Sequence, residues 1–426
     1  MWGAHRTELF PPQKPSDVMR GFAAESIDFR VLRSESRTGL TFDELAGVGL
    51  RRNPKRAHLI VSRVLAKHVP VSGSIAVDAA RSLADEVRHA WGGPMPENVL
   101  VLGFAETACG LAGLVADALP GSVLTQTTRD VSDAPGIWLQ SEELHSHAPS
   151  HFLLRGVHDA LLAGPDVVLV DDELSTGETA WRVISQINGV FPNRRYVIAC
   201  LIDARPDSDR ERLHLLSEMA GVDVRVASLL DVRLSFADDA PARVACLLAE
   251  PSLRADQAMR LSPQRVRPLP LSPALVPDAR SGAGFADRVR AVEFLDRQLA
   301  TLPSEQEGAK TLVIGVEEGI YPAVRVAVAL GADVQSTTRS PAVVIDRPDY
   351  PLRSGVTFPS EYSRDVPAFL YNGPATTAGE PVYDQTVVML PDTHGTQPRV
   401  ARAELLAAAG SCCTGTVWTW DVKRTR

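Results

Sequence analysis

The stretch VVLVDDELSTGET (167–179) combines a strand pattern, two adjacent carboxylates and a loop of small residues. The apolar residues 167–170 are typical of a strand buried on both faces, and Asp171 and Asp172 follow it directly. A helix dipole favours an anion at the N-terminal residues that come next, which are Ser175, Thr176, Gly177, Glu178 and Thr179. Because the two carboxylates would repel a polyphosphate, they are better placed to accept hydrogen bonds from ribose hydroxyls. The stretch therefore predicts a ligand with a phosphate at one end and a diol beside it.

The segments around this stretch predict a doubly wound α/β domain. Continuous apolar runs recur in ENVLVLGF (97–104), DVVLVDDE (166–173) and RYVIACLID (195–203). Helical patterns lie between them, as at 178–190, where apolar residues recur at i, i+3, i+4 and i+7. Strands that alternate with helices in this way form a parallel sheet. Ligands of such sheets bind at the carboxyl ends of the strands.

A proline-rich stretch, SPQRVRPLPLSPALVPDARSGAG (262–284), interrupts the alternation. Proline-rich segments of this kind are extended connectors. A helical pattern resumes at 286–301, and a further strand follows at 310–316. The sequence therefore predicts a first domain over 1–255, a connector over 256–284 and a second α/β domain over 285–426.

The second domain reads as a degenerate repeat of the first. Four segments recur in the same order: 99–119 with 311–330, 127–129 with 337–339, 141–154 with 360–372, and 166–172 with 385–392. The alignment pairs Asp171 and Asp172 with Pro391 and Asp392, and the loop STGET has no clear counterpart. Two unrelated α/β domains with similar valine-rich strands are the alternative. If the repeat is real, only the first copy keeps the acidic pair and the phosphate loop.

The composition is that of an ordinary globular protein and excludes several classes. The 426 residues are 45% hydrophobic and 23% charged, with a net charge of −8. An acidic excess argues against nucleic-acid binding, and no apolar run approaches the roughly 20 residues that span a bilayer. The N-terminus lacks the apolar stretch of a signal peptide, and five cysteines without a CxxC pair fit free thiols in a reducing compartment. We therefore expect a cytoplasmic protein without nucleic-acid or membrane partners.

The 167–179 stretch resembles the PRPP-binding motif of type I phosphoribosyltransferases. It departs from the motif at Glu173, where an apolar residue is usual. The whole chain looks like the two-domain family of a phosphoribosyltransferase followed by a TRSP domain, found in bacterial tellurite-resistance and stress gene clusters and described as orotate-phosphoribosyltransferase-like. That resemblance is carried by RRNPKRAHLIVSRVLAKHVPV (51–71), GFAETACGLA (103–112), HSHAPSH (145–151), VDDELSTGET (170–179) and TTRSP (337–341).

The resemblance implies roles for a second loop. In the family, a loop after an earlier strand holds pyrophosphate and magnesium, and here this loop is GFAETACGLA. Glu106 and Thr107 are then candidates to contact pyrophosphate or the water shell of a metal, with Mg²⁺ held through PRPP near Glu106 and Asp171. The alternative is that Glu106 only stabilises the first turn of a helix.

Four histidines, His145, His147, His151 and His158, lie within fourteen residues. Their spacing is compatible with a metal cluster, with a loop that closes over a reacting centre, or with ordinary polar surface. The resemblance favours the loop, with His147 as the catalytic candidate for proton transfer or phosphate contact.

Basic residues supply further candidates for anion binding. Lys67 ends an apolar pattern, and the cluster of Arg51, Arg52, Lys55 and Arg56 precedes it. This cluster either captures phosphate or forms a solvated helix face. Arg129 follows the strand at 122–126 and is placed to neutralise pyrophosphate, while its counterpart Arg339 is placed to bind a second anion.

Glu317 and Glu318 follow a strand of the second domain, at the place that Ala105 and Glu106 take in the first. With Arg339 they are candidates for an acceptor pocket between the domains. The alternative is that they belong to a decayed duplicate kept only for packing.

The resemblance implies a PRPP-dependent pentosyltransferase of nucleotide biosynthesis. With Mg²⁺ as cofactor, it would transfer phosphoribose to a base-like or aromatic small-molecule acceptor and release pyrophosphate, with catalysis resting on Asp171, Asp172, Glu106 and His147. Two alternatives stay open, namely a PRPP- or nucleotide-binding regulator without catalysis, and phosphorolysis or hydrolysis of a nucleotide. Homodimerisation also stays open.

Overall fold

The computed structural model describes residues 21–425, with gaps at 54–55, 130–135, 143–149, 193, 251–264, 303–307, 363–364, 376–381 and 392–398. His145, His147 and Lys55, which the sequence analysis singles out, lie outside the described residues. We call residues 21–250 the first half of the chain and residues 265–425 the second half.

The helices and strands alternate along most of both halves. The helices are α1 (Phe22–Ser26), α2 (Phe42–Leu45), α3 (Gly73–Trp91), α4 (Cys109–Ala118), α5 (Arg155–Leu162), α6 (Glu178–Val190), α7 (Asp207–Ala220), α8 (Ala240–Ala249), α9 (Phe285–Leu299), α10 (Ile320–Leu330) and α11 (Arg399–Gly410). The strands are β1 (Arg30–Glu35), β2 (Ala46–Leu50), β3 (His58–Ser62), β4 (Val71–Ser72), β5 (Val99–Gly103), β6 (Val123–Gln126), β7 (Ile137–Glu142), β8 (Ser150–Leu154), β9 (Asp166–Leu174), β10 (Arg195–Asp203), β11 (Asp223–Ser235), β12 (Arg265–Pro268), β13 (Ala274–Pro277), β14 (Thr311–Gly315), β15 (Asp333–Ser336), β16 (Gly355–Pro359), β17 (Pro367–Tyr371), β18 (Gln385–Pro391) and β19 (Thr416–Thr425).

The first half contains a six-stranded sheet with the order β1-β11-β10-β9-β5-β6, in which β1 is antiparallel and the other strands are parallel. Alternate side chains of each central strand point to opposite faces. Along β9, Val168 and Val170 pack in one core cluster, whereas Val167 and Leu169 pack in another with residues of α6. Helices therefore cover both faces, and the predicted doubly wound α/β fold is confirmed.

The second half repeats the central part of this sheet. Its strands β19-β18-β14-β15 follow the same order as β10-β9-β5-β6, which confirms the predicted repeat. The register corrects the alignment by one residue, because Gly103 lies opposite Val170 and Gly315 lies opposite Met389. Leu390 therefore corresponds to Asp171, and Pro391 corresponds to Asp172. The second copy has no carboxylate at either position.

The connector predicted over 256–284 needs a correction. Within it, β12 and β13 both pair with β19 and extend the second sheet at its edge. Prolines are tolerated on edge strands, and Pro268 and Pro277 each end one of these strands. Conversely, β4 of the first half pairs with β15 of the second. The two halves are thus interleaved, and the domain limits 1–255 and 285–426 stay a proposal.

One hydrophobic cluster joins the two halves. It includes side chains of α3 and α4 from the first half and of α9 and α10 from the second, for example Leu83, Leu114, Leu295 and Val324. Helices α4 and α10 approach closely, since a Cβ atom on Gly113 would lie 2.4 Å from the Tyr321 ring. Among the described residues, no helix is long and apolar enough to cross a membrane.

Candidate functional site

A cavity of about 1050 Å³ opens at the carboxyl ends of β5 and β9, at the upper end of the size range common for small-molecule sites. It is lined by the PRPP-site candidates Lys67, Glu106, Thr107, Arg129, Asp171, Asp172, Ser175, Thr176, Gly177, Glu178 and Thr179. The PRPP-site candidates are thus brought to one place, whereas the catalytic candidate His147 lies outside the described residues. The cavity also receives side chains from the β2–β3 hairpin and from the second half.

The loop between β9 and α6 has the form that the sequence predicts. Gly177 takes the left-handed conformation, with φ 82°, and its carbonyl accepts the first hydrogen bond of the helix from Trp181 at 2.9 Å. The Thr176 hydroxyl accepts a hydrogen bond from the N–H of Glu178 at 3.3 Å. A glycine is favoured at this φ because a side chain is strained there. The N-terminus of α6 consequently opens into the cavity.

The acidic pair belongs to the end of β9 itself, since this strand extends to Leu174. Asp171 accepts a hydrogen bond from the N–H of Asp172 at 2.9 Å, and both residues are half-buried. Glu173, the departure from the resembled motif, forms an ion pair with Arg56 at 2.5 Å. An apolar residue could not form this pair, which ties β9 to the β2–β3 hairpin.

The loop after β5 forms the neighbouring wall of the cavity. Its start needs a glycine, because a Cβ atom on Gly103 would lie 2.5 Å from the Cβ atom of Ala112. The Ala105–Glu106 peptide bond is cis. The N–H of Ala105 donates to the Thr127 hydroxyl at 2.8 Å, which fixes the loop to the segment after β6.

Lys67 is buried in this wall and donates a hydrogen bond to the Thr107 hydroxyl at 2.6 Å. Burial lowers the pKa of Lys67, and the carboxylates of Asp172 and Glu106 partly oppose this effect. Lys67 thus places a buried amino group at the wall of the cavity, and its role in anion binding stays a prediction.

Arg129 lies over the same loop. Its Nε atom donates to the carbonyl of Ala105 at 3.0 Å, and its Nη2 atom is 3.3 Å from Nε2 of His151. Because an arginine can only donate, Nε2 of His151 accepts and the proton is on Nδ1, which lies 3.0 Å from the Thr127 hydroxyl. His151 thus orients Arg129. The sequence analysis placed His151 in the histidine cluster but preferred His147.

The described residues of the basic cluster, Arg51, Arg52 and Arg56, lie between β2 and β3 and not on the helix face considered from the sequence. Arg51, Arg52 and Arg56 line the cavity beside His58. The buried Nε atom of Arg51 has no hydrogen-bond partner among the described residues. Burial and the nearby Arg56 lower the pKa of Arg51, and burial together with Arg56 and Arg51 lowers that of His58 to about 3. Arg56 is paired with Glu173, so Arg51 and Arg52 supply the remaining positive charge of this wall.

Phe236 lines the cavity next to this wall, with its ring centroid 4.6 Å from that of His58. The side chain is 45% exposed, so its ring is accessible from the cavity. No sequence signal pointed to Phe236, because it follows β11, far along the chain from the hairpin.

The acceptor-pocket prediction for Glu317 and Glu318 is wrong for this cavity, which only Arg339 of that group lines. Both glutamates are buried at the contact between the halves. Glu317 forms an ion pair with Arg339 at 2.9 Å, and Glu318 accepts hydrogen bonds from the backbone N–H of Arg129 at 2.9 Å and the Thr128 hydroxyl at 3.0 Å. The repeated fold causes this placement, because the corresponding loops of the two halves face each other.

Glu106 needs a related correction. Although it lines the cavity, its carboxylate accepts hydrogen bonds from the Thr338 hydroxyl and from the backbone N–H of Arg339, the latter at 3.0 Å. It also forms an ion pair with the Arg339 side chain at 3.3 Å. These partners hold Glu106 in the contact between the halves, and its catalytic role stays a prediction.

Comparison with solved structures gives only distant similarity. An adenine phosphoribosyl transferase from Trypanosoma brucei in complex with AMP, pyrophosphate and ribose-5-phosphate has 15% identity and a TM-score of 0.32, covering 45% of this chain and 77% of that one. An APRTase from Giardia lamblia has 18% identity and a TM-score of 0.26, covering 36% and 80%. A hypothetical protein from Neisseria gonorrhoeae with bound ppGpp has 10% identity and a TM-score of 0.22, covering 39% and 85%. Similarity at this level carries no argument about activity, and no curated protein matches the chain significantly.

Family models match most of the chain. Residues 45–233 match a phosphoribosyl transferase family, and residues 278–408 match the TRSP domain that lies C-terminal to it. The first match contains the acidic pair and the phosphate loop, and the second contains the TTRSP segment. The chain therefore belongs to the family in which a phosphoribosyl transferase domain is followed by a TRSP domain.

Proposed function

We propose that this protein transfers the 5-phosphoribosyl group of PRPP to a base-like or aromatic acceptor and releases pyrophosphate. The observation that carries the proposal is the convergence of three elements on one cavity. These elements are the N-terminus of α6, the acidic pair on β9, and the 103–107 loop with Lys67 and Arg129. Each suits one part of PRPP.

The 5′-phosphate fits the loop between β9 and α6. Backbone N–H groups at 175–179, the hydroxyls of this loop and the helix dipole all favour a dianion at this position. Asp171 and Asp172 lie immediately before it and offer acceptors to the 2′- and 3′-hydroxyls of the ribose. Binding energy from the phosphate and the diol thus positions the reacting carbon.

The pyrophosphate fits the wall formed by the 103–107 loop. Lys67 and Arg129 supply positive charge, and the fixed loop offers backbone groups. The chain has a net charge of −8, so an anionic ligand has to be held by such local groups. In this proposal the leaving group lies near the end of β5 and the ribose near the end of β9.

Asp171 and Asp172 also suit a magnesium ion as hard oxygen donors. Among the described residues, no group of three His, Cys, Asp or Glu side chains could hold a metal. This fits a Mg²⁺ ion that takes most of its ligands from pyrophosphate and water, as Mg²⁺ does at phosphate sites. When bound, the ion would neutralise charge on the departing pyrophosphate.

The acidic pair has a second use during the reaction. Positive charge develops on the ribose as the bond to pyrophosphate breaks, and fixed carboxylates nearby stabilise this charge. The acceptor has room beside the β2–β3 hairpin, where Phe236 and His58 offer ring surfaces. These groups favour an aromatic acceptor over an aliphatic one.

Pyrophosphate release tests the proposal. The protein is incubated with PRPP, Mg²⁺ and a panel of neutral and acidic aromatic heterocycles, and isotope exchange between pyrophosphate and PRPP is followed in parallel. We expect release or exchange with at least one acceptor. Tight PRPP binding without release or exchange for any acceptor would instead favour a regulator, and cleavage of added nucleotides alone would favour phosphorolysis or hydrolysis.

A further inference from the structure

The two halves of the chain contact each other through a reciprocal pair of glutamates. Glu106 of the first half accepts hydrogen bonds from Thr338 and the backbone N–H of Arg339 in the second. Glu318 of the second half accepts hydrogen bonds from Thr128 and the backbone N–H of Arg129 in the first. We call these two sets of hydrogen bonds the reciprocal contacts.

The reciprocal contacts join equivalent positions of the repeat. In the first half, the N–H of Thr127 donates to Gly103 at 2.9 Å, and in the second half the N–H of Thr337 donates to Gly315 at 2.9 Å. The threonine hydroxyl then accepts from Ala105 at 2.8 Å in one half and from Glu317 at 3.0 Å in the other. Each half therefore offers the same glutamate and the same Thr-Thr-Arg segment to its neighbour.

We propose that the second half acts as a built-in partner subunit for the cavity, in which Glu318 is a positioning residue that holds Arg129 against the pyrophosphate part of PRPP. This inference rests on the proposed function, since it assigns pyrophosphate to Arg129. It gives the TRSP domain a role in substrate binding without a ligand site of its own.

The path from Glu318 to the cavity is short and continuous. The Glu318 carboxylate holds the backbone of Arg129 at 2.9 Å, and the Arg129 side chain donates to Ala105 at 3.0 Å. Ala105 is in turn fixed by Thr127. Glu318 is itself buried, and hydrogen bonds to a buried carboxylate are strong and directional. Removing this carboxylate would free the backbone at Arg129 while leaving the α6 loop untouched.

The second half has kept these contacts but not the ligand groups. Leu390 and Pro391 stand where the first half has Asp171 and Asp172. A second nucleotide site would need the carboxylates, whereas a partner for the first site needs only Glu318 and the Thr-Thr-Arg segment. The second half therefore lacks the ligand groups and has the contacts, as the positioning role of Glu318 requires.

The test compares two ligands on the full chain. Ribose 5-phosphate contacts only the α6 loop and the acidic pair, whereas PRPP adds the pyrophosphate contacts. We expect Glu318→Ala to weaken PRPP binding about tenfold or more in calorimetric titration with Mg²⁺, the scale of one lost charge-assisted contact, and to leave ribose 5-phosphate within about twofold. Arg129→Ala should give the same selective loss, and the double variant should lose little more than either single one.

Asp117→Asn is the matched control, because Asp117 joins the halves through Tyr321 at 2.7 Å and Arg288 at 3.0 Å, away from the cavity. It should lower the melting temperature without changing the ratio of the two affinities. If Glu318→Ala does not fold, Glu318→Gln serves as the test variant, because its amide keeps an oxygen that can accept a hydrogen bond from the N–H of Arg129. It should raise KM for PRPP severalfold with little change in kcat.

Equal losses of both ligands, or an unchanged affinity ratio in folded Glu318 variants, would overturn the inference and leave Glu318 a structural residue. Additive losses in the double variant would overturn it as well. Failure of the proposed function looks different, because the wild-type protein would then bind no PRPP, or would bind it without pyrophosphate release or exchange.

Discussion

The backbone N–H of Arg339 donates a hydrogen bond of 3.0 Å to the carboxylate of Glu106, although 233 positions separate the two residues. Glu318 and Arg129 form the equivalent bond in the opposite direction, at 2.9 Å. The two copies of the repeat therefore face each other through the loops that follow β5 and β14. This arrangement explains why residues from the second half reach a cavity whose acidic pair and phosphate loop belong to the first.

Close packing of α4 on α10 should be essential to the contact between the halves. A Cβ atom on Gly113 would lie 2.4 Å from the Tyr321 ring, so Gly113→Ala should lower the free energy of unfolding by about 1–3 kcal/mol through overpacking. Gly189→Ala in α6 is the matched control, because no atom lies within 4 Å of its added Cβ. It should leave stability unchanged or raise it by up to about 1 kcal/mol. Urea unfolding measures both, and equal stability of the two variants would contradict the packing account.

We expect Lys67 to lower the stability of the fold and to strengthen PRPP binding. Burial lowers the pKa of Lys67, which means that its charge is held at a free-energy cost. Lys67→Met keeps most of the volume and removes the charge, so the melting temperature should rise while PRPP affinity falls tenfold or more, by about 1.4 kcal/mol. Thermal unfolding and calorimetric titration measure the two effects. A variant that is less stable than the wild type and binds PRPP with wild-type affinity would contradict this prediction on both stability and binding.

Glu317 should make stability depend on pH. Burial raises its pKa from the ordinary value of 4.5 to about 8, against the opposing charge of Arg339, so the folded protein keeps a proton that the unfolded chain releases. This contribution to stability is fully present below pH 4.5 and is lost as the pH rises to about 8. Glu317→Gln cannot titrate and should therefore gain stability relative to the wild type as the pH rises through this range. Urea unfolding at several pH values tests the sign, and a difference that stays constant or shrinks would contradict it.

The parts of the fold that could be predicted from the sequence are those that depend on short, contiguous segments. The strand, acidic pair and loop of 167–179 are contiguous, so periodicity and glycine placement were enough to predict β9, the loop and α6. The repeat was predictable because four segments recur in order. Its register was not, because both strands are continuous apolar runs, and only the strand pairing shows that Leu390 corresponds to Asp171.

The contacts between distant segments could not be predicted. Glu318 follows a strand, as a ligand-binding residue would. The sequence around it does not show that Thr128 and Arg129 donate hydrogen bonds to its carboxylate. Phe236 follows β11 and joins the cavity only because the fold brings it next to His58 of the hairpin. The prolines of 262–284 suggested a free connector, because local composition does not show that β12 and β13 find an edge on β19.

The most direct test of the central claim is the turnover of PRPP by Asp171→Asn with Asp172→Asn. The double variant keeps the size of both side chains and removes the two negative charges that we assign to the ribose and its developing positive charge. We predict that pyrophosphate release and exchange fall by a factor of about 1000 or more, the scale of a lost electrostatic group in catalysis, while near-ultraviolet circular dichroism and thermal unfolding remain those of a folded protein. Wild-type rates in the folded double variant would contradict the assignment of this cavity as a phosphoribosyltransferase active site.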